Sequence, residues 1–278
     1  MTFSIVAHAA GEWGVAVASK FLAAGAVVPY AGAGVGAVAT QSYANPVYGP
    51  DGLAAMAAGR SAAEAIEAVT SVDEQRALRQ VGMVDAAGRA ATFTGDECFD
   101  WAGGVTGDGY ACQGNILTGP DVVRDMAAAY EAASGTLAER LLVALAAGDA
   151  AGGDQRGRQA AGVYVVRAGG GYLGGSDVAV DLRVDDHPDP VTELRRLYGI
   201  HRLLFPGPGE LDFIDVDDDL AGELRTALRS RGYDPGEGPG YDRALSSALF
   251  VFAGTENLEA RWSDEARIDR AVLDFLRN

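Results

Sequence analysis

Lysine is almost absent from this chain: Lys20 stands alone against twenty-one arginines. Basic residues are few altogether, 22 against 39 acidic ones, for a net charge of −17. A field of that sign argues against non-specific binding to nucleic acid or to an anionic membrane. Histidine is scarce too. His8, His187 and His201 are scattered, with no HExxH pattern and no paired CxxC, so neither a metal site nor a cofactor is expected. Cys98 and Cys112 are only two, and read better as buried thiols than as a disulfide. No apolar run reaches the roughly 18 residues of a spanning helix. The opening Met1-Thr2-Phe3-Ser4-Ile5-Val6 lacks the basic region and long apolar stretch of a signal peptide, so a cytoplasmic protein is expected.

What is present is ample material for a core: 278 residues, 48% of them apolar. Phe3 to Ala7 and Trp13 to Ala18 read as strands around a tight turn at Ala10-Gly11-Glu12. Val27-Val28 and Val35 to Thr40 suggest two more. Asp51 to Ala58 reads as a short helix, and Ser61 with Glu64 forms a capping box opening a second. Leu78 to Val84 and Ala90 to Thr94 make a hairpin, and Tyr110 to Asn115 another strand. Helices follow at Asp121 to Ala133 and Leu137 to Ala147, the latter opened by the capping box of Thr136 and Glu139. Strands at Gly162 to Arg167 and Val178 to Val184 flank a glycine turn, and a helix runs from Pro190 to Leu204.

Hairpins favour antiparallel sheets, and helices arriving in pairs suit outer layers. The expected fold class is therefore α+β: a four-layer αββα sandwich over residues 1–204. After a Pro/Gly linker at Phe205 to Gly209, residues 210–278 read as a small, mostly helical binding or assembly domain, with helices at Leu220 to Ser230, Asp242 to Phe252 and Asp264 to Leu276.

The chemistry concentrates at the start of the chain. A threonine hydroxyl is a weak nucleophile until a base takes its proton. If Met1 is removed, Thr2 carries both the hydroxyl and a free α-amine. The reference pKa of such an amine, about 7.7–8.0, leaves a useful neutral fraction. Lys20, at the end of the neighbouring strand, would favour the neutral amine and stabilise an alkoxide. Against this stand two plain alternatives: Thr2 as an ordinary strand residue, and Lys20 as the survivor of lysine depletion in a GC-rich coding sequence.

Several segments resemble the DUF1028 family: Thr2 to Ala7, Gly14 to Lys20, Gly34 to Gln41, Arg79 to Gly82, Gln113-Gly114-Asn115, Ala151 to Gln159 and Asp181 to Pro188. The resemblance runs over roughly residues 1–204. It implies the fold of N-terminal nucleophile hydrolases, the class of proteasome β-subunits and penicillin acylases, with Thr2 ending in a cleft between two sheets. It also implies an oxyanion-binding role for Thr40, Gln41 and Ser42, and for Asn115 an orienting role toward the amine or the carbonyl; a simple turn residue is the alternative for Asn115. The resemblance also implies a serine after Arg-Gln, where this chain carries Ala160; if that serine helps activate the nucleophile, its absence counts against full activity. The remainder, about 210–278, resembles a peptidoglycan-binding-like domain.

Asp154, Arg156, Arg158 and Gln159 form the densest polar cluster, set among Gly152, Gly153 and Gly157. Two arginines there suit a carboxylate ligand; an internal salt-bridge network suits them equally. Asp185-Asp186-His187-Pro188 reads as the cap of the following helix rather than an acid–base pair. Three functions fit: an amidohydrolase acting on a small-molecule or peptide amide through Thr2, a catalytically silent sandwich holding an anionic or glycan ligand, and a structural subunit packing through its outer helices into a homo-oligomer.

Overall fold

In the computed structural model, which describes residues 2–207 and 209–277, the chain starts as a hairpin. β1 (Thr2–Ala9) and β2 (Glu12–Ser19) pair antiparallel from Phe3–Ala18 to Ala9–Glu12. Ala10 and Gly11 both take positive φ, 51° and 76°, as a two-residue reversal matched to strand twist requires. β2 pairs with β9 (Ala160–Val166), and β9 with β10 (Val178–Val184). On the other side β1 pairs with β8 (Tyr110–Asn115), and β8 with β7 (Gly103–Gly107). The result is a six-stranded antiparallel sheet in the order β10-β9-β2-β1-β8-β7. A second antiparallel sheet holds β3 (Pro29–Gly32), β4 (Gly36–Ser42), β5 (Arg79–Asp85) and β6 (Ala90–Thr94) in sequence order.

Strand alternation gives each sheet two faces. Val6, Val15 and Val17 meet Ala37, Ala39 and Val84 of the second sheet in one core cluster. Phe3 points the other way, toward Gly148 of α4 (Leu137–Ala150). α4 and α3 (Asp121–Ala132) lie against the six-stranded sheet. α1 (Tyr48–Ala57) and α2 (Ala62–Thr70) lie against the four-stranded one, closing a core of Val38, Val81 and Met83 with Tyr48, Met56 and Ile66. Both capping boxes form: Ser61 with Glu64 and Thr136 with Glu139 exchange side-chain and backbone hydrogen bonds. Cys98 and Cys112 are free and buried.

The chain divides into two units, Met1–Leu197 and Tyr198–Asn278, with α5 (Pro190–Leu204) running across the boundary. In the second unit, α6 (Asp218–Ser230) and α7 (Arg243–Thr255) are each N-capped by an aspartate, Asp217 onto the Leu220 N–H and Asp242 onto the Leu245 N–H. Leu224, Leu228, Leu245, Phe252 and Leu273 fill its core.

Three stretches of the chain differ from the sequence reading. Val27-Val28 is not a strand; a 3-10 turn at Ala24–Ala26 precedes it and β3 begins at Pro29. β7 went unread because Gly103, Gly104 and Gly107 give it no apolar alternation. The last helix, α8 (Arg270–Arg277), begins later than Asp264, because Arg267–Asp269 forms β12 against β11 (Phe213–Asp215). Asp269 ends that strand and starts the helix: its carboxylate accepts the N–H groups of Asp212 (2.9 Å) and Ala271 (3.0 Å) and pairs with buried Arg261 (2.9 Å). Among the described residues no helix is long and apolar enough to cross a membrane.

Candidate active site

Thr2 opens β1, in register with Asn115 of β8. On the opposite side Ser19, the last residue of β2, is in register with Ala160 of β9. The Thr2 and Ser19 hydroxyl oxygens are 3.1 Å apart, so Asn115, Thr2, Ser19 and Ala160 form one rank across four adjacent strands. Thr2 is buried to 5% exposure, yet it lines a cleft of about 320 Å³ together with Gln41, Ser42 and Arg79.

Behind Thr2 lies a ladder of buried amides joining the two sheets. Gln41 Nε2 donates to the Thr2 carbonyl (3.4 Å) and to Gln80 Oε1 (2.8 Å). Gln41 Oε1 accepts from the Ser4 hydroxyl (2.6 Å), which accepts in turn from Gln113 Nε2 (2.7 Å). Gln80 Oε1 also accepts from Asn115 Nδ2 (2.9 Å), and Gln80 Nε2 donates to the Gly114 carbonyl (2.7 Å). Paired amides of this kind fix one another's side chains; Gln113 Oε1, buried without a partner, is the exception. The ladder needs Gly82 opposite Gln113: a Cβ there would stand 2.0 Å from Gln113 Oε1.

Ser42 ends β4 with φ of 70°, a left-handed conformation unusual for serine, and lines the cleft. Thr40 is buried behind it, its hydroxyl donating to the Asn45 carbonyl (3.1 Å) and its N–H to the Val28 carbonyl (3.1 Å).

Arg79 is held by Asp73, whose carboxylate accepts from Arg79 Nε (3.0 Å), Asn45 Nδ2 (3.0 Å), the Tyr48 hydroxyl (2.9 Å) and the Gln75 N–H (2.9 Å). Burial opposes ionisation of Asp73, but these donors outweigh it and hold the carboxyl well below the usual range. Burial, and then the bond to Asp73, push the Tyr48 phenol up.

Lys20 is directed elsewhere. Its Nζ donates to the Arg158 carbonyl (3.2 Å) and its N–H to Asp154 Oδ2 (2.8 Å). Ser19, where the sequence suggested Lys20, is the side chain in contact with the Thr2 hydroxyl. The arginines of the polar loop engage neighbouring acids: Arg156 pairs with Asp154 (3.2 Å) and Arg158 with Asp149 (2.7 Å), while Gln159 Nε2 donates to Asp186 (3.1 Å). Asp154 and Arg158 line a separate cavity of about 370 Å³ with Phe3, Ser19 and Pro188. The structure thus brings Thr2, Gln41 and Ser42 to one cleft and joins Asn115 to it through Gln80; it sets the Asp154 loop on a second cavity. Sequence reasoning missed Ser19, Gln80 and Gln113 as members of this site. Their signal was available: uncharged polar residues at positions of otherwise apolar strands.

The family model described as a family of unknown function (DUF1028) matches residues 2–194. The chain belongs to the DUF1028 family. A DUF1028 protein of known crystal structure, from Silicibacter pomeroyi, is 33% identical over 72% of this chain and 89% of its own, with a TM-score of 0.66. Anbu, an ancestral beta-subunit from Yersinia bercovieri, is 12% identical over 71% of this chain and 93% of its own, with a TM-score of 0.33. The "Putative peptidoglycan binding domain" model matches residues 210–276. No curated protein matches the chain. The Thr2 rank and the amide ladder of this DUF1028 chain lie wholly inside the matched stretch.

Proposed function

We propose that this DUF1028 protein is an N-terminal nucleophile amidohydrolase, with Thr2 as nucleophile once Met1 has been removed. The observation that carries the reading is the position of Thr2: first in a central strand, on the floor of a cleft, its hydroxyl on Ser19 and its carbonyl held by Gln41. The antiparallel sheets and paired helices are consistent with the four-layer αββα sandwich of that enzyme class.

In this mechanism the neutral α-amine of Thr2 takes the Oγ1 proton as the oxygen attacks an amide carbonyl. Ser19 orients Oγ1, and the Gln41–Gln80–Asn115 ladder fixes the strand end that carries it. The ammonium then protonates the departing nitrogen, leaving an ester on Thr2 that water hydrolyses. Lys20, one residue past Ser19, acts through its charge alone, favouring the neutral amine.

Intact-mass analysis of the purified protein is the first test, since retained Met1 blocks the amine. Thr2→Ala should abolish hydrolysis across an amide library. Undiminished turnover in that variant would remove Thr2 from the mechanism.

The match over residues 210–276 favours a second role beside the first: a glycan ligand for the C-terminal unit. Retention of the full chain, and not of residues 1–204, on insoluble peptidoglycan tests it.

A further inference from the structure

The cleft that contains Thr2 is lined mostly by apolar residues. Phe21, Ala24, Val27, Val28, Ala44 and the ring of Tyr43 line it. Ala24, Val28, Gln41 and Thr2 are buried and form the floor, while Phe21 and Tyr43, each 55% exposed, stand at the mouth. Gln41 and Arg79, the amide and the charged group of the lining, are already engaged. The Gln41 amide is held on both sides, by Ser4 and Gln80. The Arg79 guanidinium is paired with Asp73 and donates further to the Tyr43 carbonyl and to Gln75 Oε1. The lining therefore offers no uncompensated charge, and the net charge of −17 disfavours the approach of anions to the protein. A volume near 320 Å³ is that of about ten water molecules, at the small end of ligand pockets.

We propose that the substrate of this site carries an uncharged branched aliphatic or aromatic acyl group, and that Phe21 and Tyr43 set the preference. The assignment rests on Thr2 as the nucleophile. The acyl part belongs in the cleft because it stays bonded to Thr2 Oγ1 when the C–N bond breaks. The amine, carrying the proton from the α-ammonium, leaves through the mouth. Water then adds to the ester carbon, the C–Oγ1 bond breaks, Oγ1 recovers a proton and the free carboxylic acid departs. A charged acyl group would lose hydration in this cleft without gaining a counter-charge. An acetyl group would leave most of the apolar wall in contact with water.

The test is a panel of p-nitroanilides with acetyl, isovaleryl, phenylacetyl and succinyl groups, with binding of phenylacetamide and succinamate to Thr2→Ala measured by calorimetry. Phenylacetyl and isovaleryl anilides should exceed acetyl by at least about tenfold in kcat/KM, with succinyl below acetyl. Phe21→Ala, a change at an exposed position, should collapse the phenylacetyl-to-acetyl ratio by about tenfold. Thr2→Ala should bind phenylacetamide and not succinamate. Thr2-dependent cleavage of the succinyl anilide at the phenylacetyl rate overturns the acyl assignment and leaves the nucleophile standing. Preferential phenylacetamide binding with no Thr2-dependent cleavage keeps the apolar acyl site and removes the nucleophile. A ratio unchanged by Phe21→Ala, or no binding preference in Thr2→Ala, overturns the proposal.

Discussion

The hydroxyl oxygens of Thr2 and Ser19 stand 3.1 Å apart where β1 begins beside the end of β2. In the proposed mechanism a hydroxyl in that position controls the rotation of Oγ1 without taking its proton permanently. Ser19→Ala should therefore lower kcat by roughly one to two orders of magnitude, the worth of one or two hydrogen bonds at the reacting atom. KM should change little and Ser19→Thr should restore most of the rate. Equal loss in Ser19→Thr and Ser19→Ala would make the residue a packing element only.

Ala160 gives a gain-of-function prediction. Ala160 faces Ser19 in register, one strand further from Thr2. Ala160→Ser places a third hydroxyl in the rank, able to fix the proton of Ser19. Hydrolysis by this variant should rise by a few-fold; a fall accompanied by a lower Tm would mean the fully buried position admits no hydroxyl.

Asp73 couples stability to pH. Its folded pKa is depressed, because donors from Asn45, Arg79, Gln75 and Tyr48 outweigh the effect of burial. A depressed carboxyl contributes stability above its unfolded pKa, about 3.9, and loses it as pH falls through the lower folded value. Asp73→Asn should be less stable by roughly 1–3 kcal/mol at pH 7, since it strips the charge from four hydrogen bonds. The gap from wild type should stay level above about pH 5 and narrow below about pH 4. Urea titrations at pH 7, 5 and 3 measure it; a gap that widens in acid contradicts the assignment.

Gly82 tests the amide ladder. An added methyl meets Gln113 Oε1 at 2.0 Å inside a packed interface between sheets. Gly82→Ala should lower stability by about 1–3 kcal/mol, as overpacking does. It should also slow hydrolysis, since Gln113 and Gln41 share Ser4. Loss of stability with unchanged turnover per folded molecule would separate the ladder from the site.

What the sequence disclosed and what it hid follow from the range of the forces involved. Capping boxes at Ser61 and Thr136 were legible because their partners lie three residues away. β1, β2 and β8 were legible from short apolar runs between turn residues. β7 carried no such signal, and β12 is three residues long. Thr2 and Gln41 stood out as chemistry, but the Thr2–Ser19 contact depends on register between strands, which a one-residue slip would invert. Lys20 shows the same limit: its ammonium answers to a carbonyl at Arg158, far along the chain, which no local pattern announces.

Mass spectrometry of the intact protein, before and after exposure to an acyl-trapping β-lactone, tests the central claim most directly. The account predicts a chain beginning at Thr2 that gains a single adduct, mapped to Thr2 and missing in Thr2→Ala. A chain that keeps Met1, or an adduct that forms equally in Thr2→Ala, contradicts it.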